Sequence, residues 1–157
     1  MTPRLAVLLV LAFAGCTATP TAPSDAPPGQ SNSLTANLTF CFEETNRYRA
    51  MAGAPAVARS DAIEAHAAIA AQSDGVSNSP HAYSRANSSG RWAENEVLRW
   101  PLSQLRTVRG VIAEAMASFW RQGASGGHYQ NLTGPYSSVG CGVYVSGNDV
   151  TVVQHFR

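Results

Sequence analysis

Between Val139 and Phe156 the chain alternates with a period of two, which constrains the fold more than any other feature of the sequence. Val139-Gly140-Cys141-Gly142-Val143-Tyr144-Val145 runs out, Ser146-Gly147-Asn148 turns, and Asp149-Val150-Thr151-Val152-Val153-Gln154-His155-Phe156 returns, the pattern of a β-hairpin. Alternate side chains on a strand share a face, so Val139, Cys141, Val143 and Val145 line one side and Gly140, Gly142 and Tyr144 the other. Two glycines on one face leave space for a helix to pack against the strand backbone. The earlier chain has helical spacing. Phe40, Phe42, Tyr48 and Met51 predict a helix over about 40–52, with Glu43 and Glu44 in its first turn and Gly53-Ala54-Pro55 ending it. Ser60 and Asp61 offer an N-cap to an alanine-rich helix over about 61–74, whose Ile63, Ala67, Ala70 and Ala71 form a flat apolar stripe. Residues 75–90 read as an irregular loop carrying His81. A third helix is expected from Leu102 to Gln122, locally weakened by Gly110, and a glycine-rich break then leads to His128. Helices first and strands last describe an α+β sandwich rather than a doubly wound sheet.

The N-terminal residues stand outside this pattern. Arg4 precedes ten apolar residues, Leu5 to Ala14, a run too short to span a bilayer and of the right length for a secretory signal over residues 1–15. Ala14-Gly15-Cys16 resembles the bacterial lipobox, with Phe13 where an aliphatic residue is usual. Lipidation of Cys16 is therefore expected, the alternative being ordinary cleavage nearby that leaves a stray thiol. Residues 16–38 are rich in Pro, Ser, Thr and Ala and read as a spacer, with the folded domain at 39–157. Export places Cys41 and Cys141 in an oxidising compartment, where they are expected to pair. All 11 basic residues are Arg, against 10 acidic ones. That +1 balance supplies no positive stripe for a phosphate backbone, and nucleic acid is not an expected partner. The expected state is a monomer at the cell envelope, or a secreted one if the anchor is missing.

Several chemistries are excluded by motif. There is no Gly-x-Ser-x-Gly elbow, no His-Glu-x-x-His helix, and no Lys with which to build a phosphate loop. His66, mid-helix, and His155, in the last strand, read as packing or surface residues. His81 and His128 lie in loops, and between them Trp92-Ala93-Glu94-Asn95-Glu96 sets a carboxylate beside an amide. Two imidazoles and a carboxylate can hold a divalent ion such as Zn²⁺ or Mg²⁺ and leave positions open. Spacing alone does not bring them together, since 47 residues separate the two histidines.

The order of motifs resembles the CAP superfamily of cysteine-rich secretory, antigen 5 and pathogenesis-related 1 proteins, also called the SCP domain, in a bacterial lipoprotein-type form. Asn46-Arg47-Tyr48-Arg49 with Gly53-Ala54-Pro55, then Ser79-Pro80-His81, Ala93-Glu94-Asn95, Ser118-Phe119-Trp120, Gly127-His128-Tyr129-Gln130 and Val139-Gly140-Cys141-Gly142-Val143 follow that family's sequence in order. The resemblance implies a three-layer α-β-α sandwich with a small antiparallel sheet, and a central cleft with two His and two Glu able to hold a metal. Position by position these are His81, Glu94 and His128, while the fourth, a Glu three residues beyond the helix Trp, falls on Gly123. Glu96 is expected to face another direction, leaving no spare carboxylate.

Two readings follow. In the first, the domain is a non-enzymatic binding module for a lipid, sterol-like or peptide ligand, with Asn95, Trp92, Tyr83 and Trp100 as candidate walls of the cleft. In the second, it is a metal-dependent peptidase or esterase in which His81 and His128 hold the ion, Glu94 activates water and Asn95 orients Glu94.

Overall fold

The structure, a computed structural model, describes residues 28–87 and 92–157. The signal segment, Cys16 and the first part of the spacer lie outside those residues. The elements are α1 (Pro28–Met51), β1 (Ala58–Arg59), α2 (Asp61–Ser77), α3 (Ala82–Asn87), β2 (Ala93–Pro101), α4 (Leu102–Leu105), α5 (Val108–Arg121), α6 (Gly127–Thr133), β3 (Ser138–Ser146) and β4 (Asp149–Phe156). Among the described residues no helix is long and apolar enough to cross a membrane.

The sheet has the order β1-β3-β4-β2. Its three long strands are antiparallel, and two-residue β1 adds a parallel edge to β3. Helix α2 covers one face, where Ala67, Ala70 and Ala71 meet Val153. Helices α1, α5 and α6 cover the other, around Val111, Ile112, Met116, Phe119, Val139, Val150, Val152 and Phe156. The expected three-layer α+β sandwich is therefore present. Its closest contact is the one the glycines allow: a Cβ at Gly140 would strike the backbone of Ile63 and Glu64, and one at Gly142 the backbone of Ala67. Ser60 caps α2 as expected, its side chain accepting from the Ile63 amide.

Several elements differ from the sequence expectation, among them α3, a short helix inside the segment 75–90 that was expected to be an irregular loop. α1 begins at Pro28 rather than near residue 40. Proline suits the first helical turn, and α5 braces the helix further along: Arg109 donates to the Ala36 carbonyl at 3.4 Å and stacks over Phe40. Glu43 and Glu44 consequently sit mid-helix, away from the N-terminal dipole, and Glu44 pairs with Arg47 one turn on. The third helix breaks at Arg106, held at φ +64°, because the Thr107 hydroxyl caps the Gly110 amide and starts a new helix. His128 is not in an open loop but in the first turn of α6.

Cys41 and Cys141 form the expected disulfide, joining α1 to β3 with their Cα atoms 6.4 Å apart. Near it, Asn46 pairs with the Val57 amide and carbonyl, and buried Arg49 donates to the carbonyls of Pro55 and Leu132. These two side chains tie the end of α1 to the chain that follows it and to α6.

Candidate functional site

β2 is an edge strand, and its alternation decides what reaches the cleft. Ala93 and Val97 pack into the cluster with α5 and Asn95 reaches α6, whereas Glu94 and Glu96 both turn to the other face, toward His81 and α3. This corrects the expectation for Glu96: residues two apart on a strand share a face. His81 lies in the turn before α3 with φ +57°, a left-handed conformation that points its backbone N–H and its ring at the two carboxylates. The N–H donates to Glu96 Oε2 at 2.6 Å, Nδ1 lies 2.6 Å from Glu94 Oε1, and Nδ1 is 3.6 Å from Glu96 Oε2.

Glu94 is held on its other oxygen as well. The strand register sets His155 opposite it, and His155 Nε2 donates to Glu94 Oε2 at 2.5 Å. Ser84, from α3, donates to the same oxygen and lies 2.9 Å from His155 Nε2. On the far side of the ring, His155 Nδ1 lies 3.0 Å from His66 Nδ1, within hydrogen-bond reach. His66 in turn stacks on Trp92 and packs against Tyr83. The fully buried His155 and the half-buried His66 are therefore part of the site rather than incidental packing.

The two carboxylates titrate in opposite directions. Burial works to raise Glu94, but hydrogen bonds from His155, His81 and Ser84 outweigh it and hold the group down at about 2. Burial dominates at Glu96, with buried Asp74 adding like charge, and raises it to about 7 against the His81 N–H bond. Asp74 is raised by its own burial, although the Tyr83 amide donates to it at 2.9 Å. His81 is raised by its hydrogen bond to Glu94.

His128 reaches the cleft from the opposite layer. Asn95 is fully buried and donates to the His128 carbonyl at 3.0 Å and to Gln154 Oε1 at 3.3 Å. It is thus a brace behind the strand and not a wall that a ligand touches. Asn131 of α6 donates to the Glu94 carbonyl at 2.9 Å. The His128 ring stands 6.2 Å from the His81 ring, centre to centre. Its backbone N–H donates to Gln122 Oε1, so the Gln122 amide nitrogen, 2.7 Å from Nδ1, donates to the ring. Burial lowers the His128 pKa, as does the neighbouring His81. The neutral ring then carries its proton on Nε2 and offers the cleft a donor.

One ligand atom from each of His81, Glu94 and Glu96 falls within 4.8 Å of the others, and Glu96 Oε1 is buried with no hydrogen-bond partner. An imidazole and two carboxylates with an orphaned oxygen fit a divalent cation. Trp92 and Tyr83 adjoin the cluster through His66. Trp100 does not: a register shift after Val97 turns it to the other face, where it borders a separate open pocket of about 370 Å³ with Pro101, Gln104, Leu105 and Glu114. The sequence signal for Glu96 was available in its two-residue offset from Glu94. Ser84, Asp74, His66 and His155 carried none without the strand pairing and the path of α3.

No curated protein matches the chain. The cysteine-rich secretory protein family does: its profile covers residues 42–156, more than half of the sequence, including His81, Glu94, His128 and Cys141 of the disulfide. With the layered fold and the disulfide in place, that match means that the chain belongs to the cysteine-rich secretory protein (CAP) family.

Proposed function

We propose that the protein is an exported binding module, tethered through lipidated Cys16, that holds a peptide-like ligand at the His81–Glu94–His128 cleft without turning it over. The observation that carries this reading is the state of Glu94. Three side-chain donors surround it and its pKa sits near 2, so it is a permanently charged anchor and a poor acceptor for a proton from water. The polar groups around it, including the His128 Nε2 donor, suit a peptide's carbonyls and amides better than a lipid chain. A lipid would find its apolar wall at the Trp100 pocket instead. The buried disulfide fits an exported protein.

A second reading, a metal-dependent hydrolase, is favoured by one feature. Glu96, at about 7, has the pKa a general base needs at neutral pH, and it faces the same cleft. In that case Glu96, and not Glu94, would take the proton.

The two separate cleanly. Mature protein carrying Cys16→Ser is screened by calorimetry against peptide pools and lipid vesicles, and by mass spectrometry for cleavage with and without Zn²⁺. Peptide binding weakened about tenfold by His128→Ala, with the peptides recovered intact, is the expected result. Zn²⁺-dependent cleavage abolished by Glu96→Gln would replace the binding reading with the hydrolase.

A further inference from the structure

Gly123 stands where the family pattern carries its second carboxylate, and it has no side chain with which to hold an ion. The structure points to a compensation. We infer that Glu96 takes over the missing position, so that a divalent cation is held by His81, Glu94 and Glu96, with His128 outside the ligand set as a hydrogen-bond donor to what the ion binds.

Four independent features support this ligand set. The first is geometric: the three side chains already converge within 4.8 Å, because β2 presents Glu94 and Glu96 on one face and the strained His81 backbone turns its ring toward both. The second is an unmet demand. Glu96 is 5% exposed, and its Oε1 has neither a protein donor nor ready access to water. A buried carboxylate oxygen in that state calls for a cation or a proton. Asp74, also fully buried, adds a third carboxylate and a second unpartnered oxygen, Oδ2, which raises the same demand. The third is the support behind Glu94: Ser84 and His155 hold Oε2, leaving Oε1 on the His81 side, the arrangement by which outer hydrogen bonds orient a metal ligand. The fourth concerns His128. Gln122 occupies its Nδ1 and the proton sits on Nε2, so the ring has no free lone pair to offer.

One imidazole and two carboxylates suit Zn²⁺ and leave open positions for a ligand atom. The inference rests on this cleft being the functional site, but its test stands apart from ligand binding. Zn²⁺, with Mg²⁺ as comparison, is titrated calorimetrically into the disulfide-bonded mature chain carrying Cys16→Ser, which has no free thiol. The expected result is a single Zn²⁺ site weakened at least tenfold by Glu96→Gln and by His81→Ala, and less than threefold by His128→Ala. Thermal melts verify that each variant is folded, and Glu96→Asp, which keeps the charge, should recover part of the affinity. The proposal is overturned if wild type binds no Zn²⁺, or if His128→Ala abolishes binding while Glu96→Gln leaves it unchanged. A chain that takes Zn²⁺ as expected but binds no peptide would end the binding-module reading and leave the ion site standing. A peptide binder with no Zn²⁺ site would do the reverse.

Discussion

Glu94 and Glu96 are two residues apart, point the same way and carry the same functional group, yet their surroundings drive their proton affinities apart. Donors converge on Glu94, whereas Glu96 receives one N–H and the field of Asp74. The consequence for stability has opposite signs. Glu94, held near 2 against an unfolded value of 4.5, contributes stability that is complete above pH 4.5 and lost as pH falls toward 2. Glu96, raised from 4.5 to about 7, is easiest to bury in its protonated form; its contribution is complete below pH 4.5 and lost as pH rises through 7. In chelator-treated protein, urea unfolding should therefore show Glu96→Gln gaining on wild type between pH 5 and pH 8, by up to about 3 kcal/mol. Glu94→Gln should be less stable than wild type by a similar amount, about 3 kcal/mol, at pH 6, and the gap should close toward pH 2. Equal pH profiles for wild type and Glu96→Gln would show that Glu96 is not buried as a charge.

At the scale of elements, the contact between α2 and the hairpin organises the site. The alanine stripe of α2 and the glycines of β3 bring helix and sheet backbones together, and that approach sets the positions of His66 and Asp74 relative to the strand that carries His155. Gly142→Ala would force a methyl group into the Ala67 backbone, which cannot give way as a flexible side chain can. It should cost about 2–3 kcal/mol in chemical denaturation, while Gly53→Ala, whose Cβ would meet nothing and whose strain is local, should cost less. Comparable losses would mean that the helix moves away from the sheet freely. This packing was legible in the sequence because both partners announce it, one by a run of Ala and the other by alternating Gly. The part of α1 just before residue 40 and the break before α5 were not, since each depends on a partner distant in the chain or on a single cap: Arg109 reaching back to Ala36, and Thr107 capping Gly110.

For the molecule as a whole, the disulfide joins the first helix to the last hairpin across 100 residues, and it lies beside a buried polar ladder. Thr45 donates to the Cys41 carbonyl, Gln154 donates to Thr45, and Asn95 links Gln154 to the His128 carbonyl. Replacing both cysteines with Ala should lower the unfolding free energy by about 4–5 kcal/mol, mostly by freeing the unfolded chain. Its effect on His128 should be seen as broadening of that ring's NMR signals; a loss under about 1 kcal/mol would argue that the long loop is already restricted in the unfolded state. The sequence by itself determined the layer order, the family, the hairpin, the cysteine pair and three of the cleft residues, because periodicity and short motifs are local and survive in one dimension. The tertiary structure decided which groups meet at Glu94. Register set His155 opposite it, α3 brought Ser84, α2 brought His66 and Asp74, and the shared face of β2 admitted Glu96, all through pairings between distant segments whose partners no local pattern names.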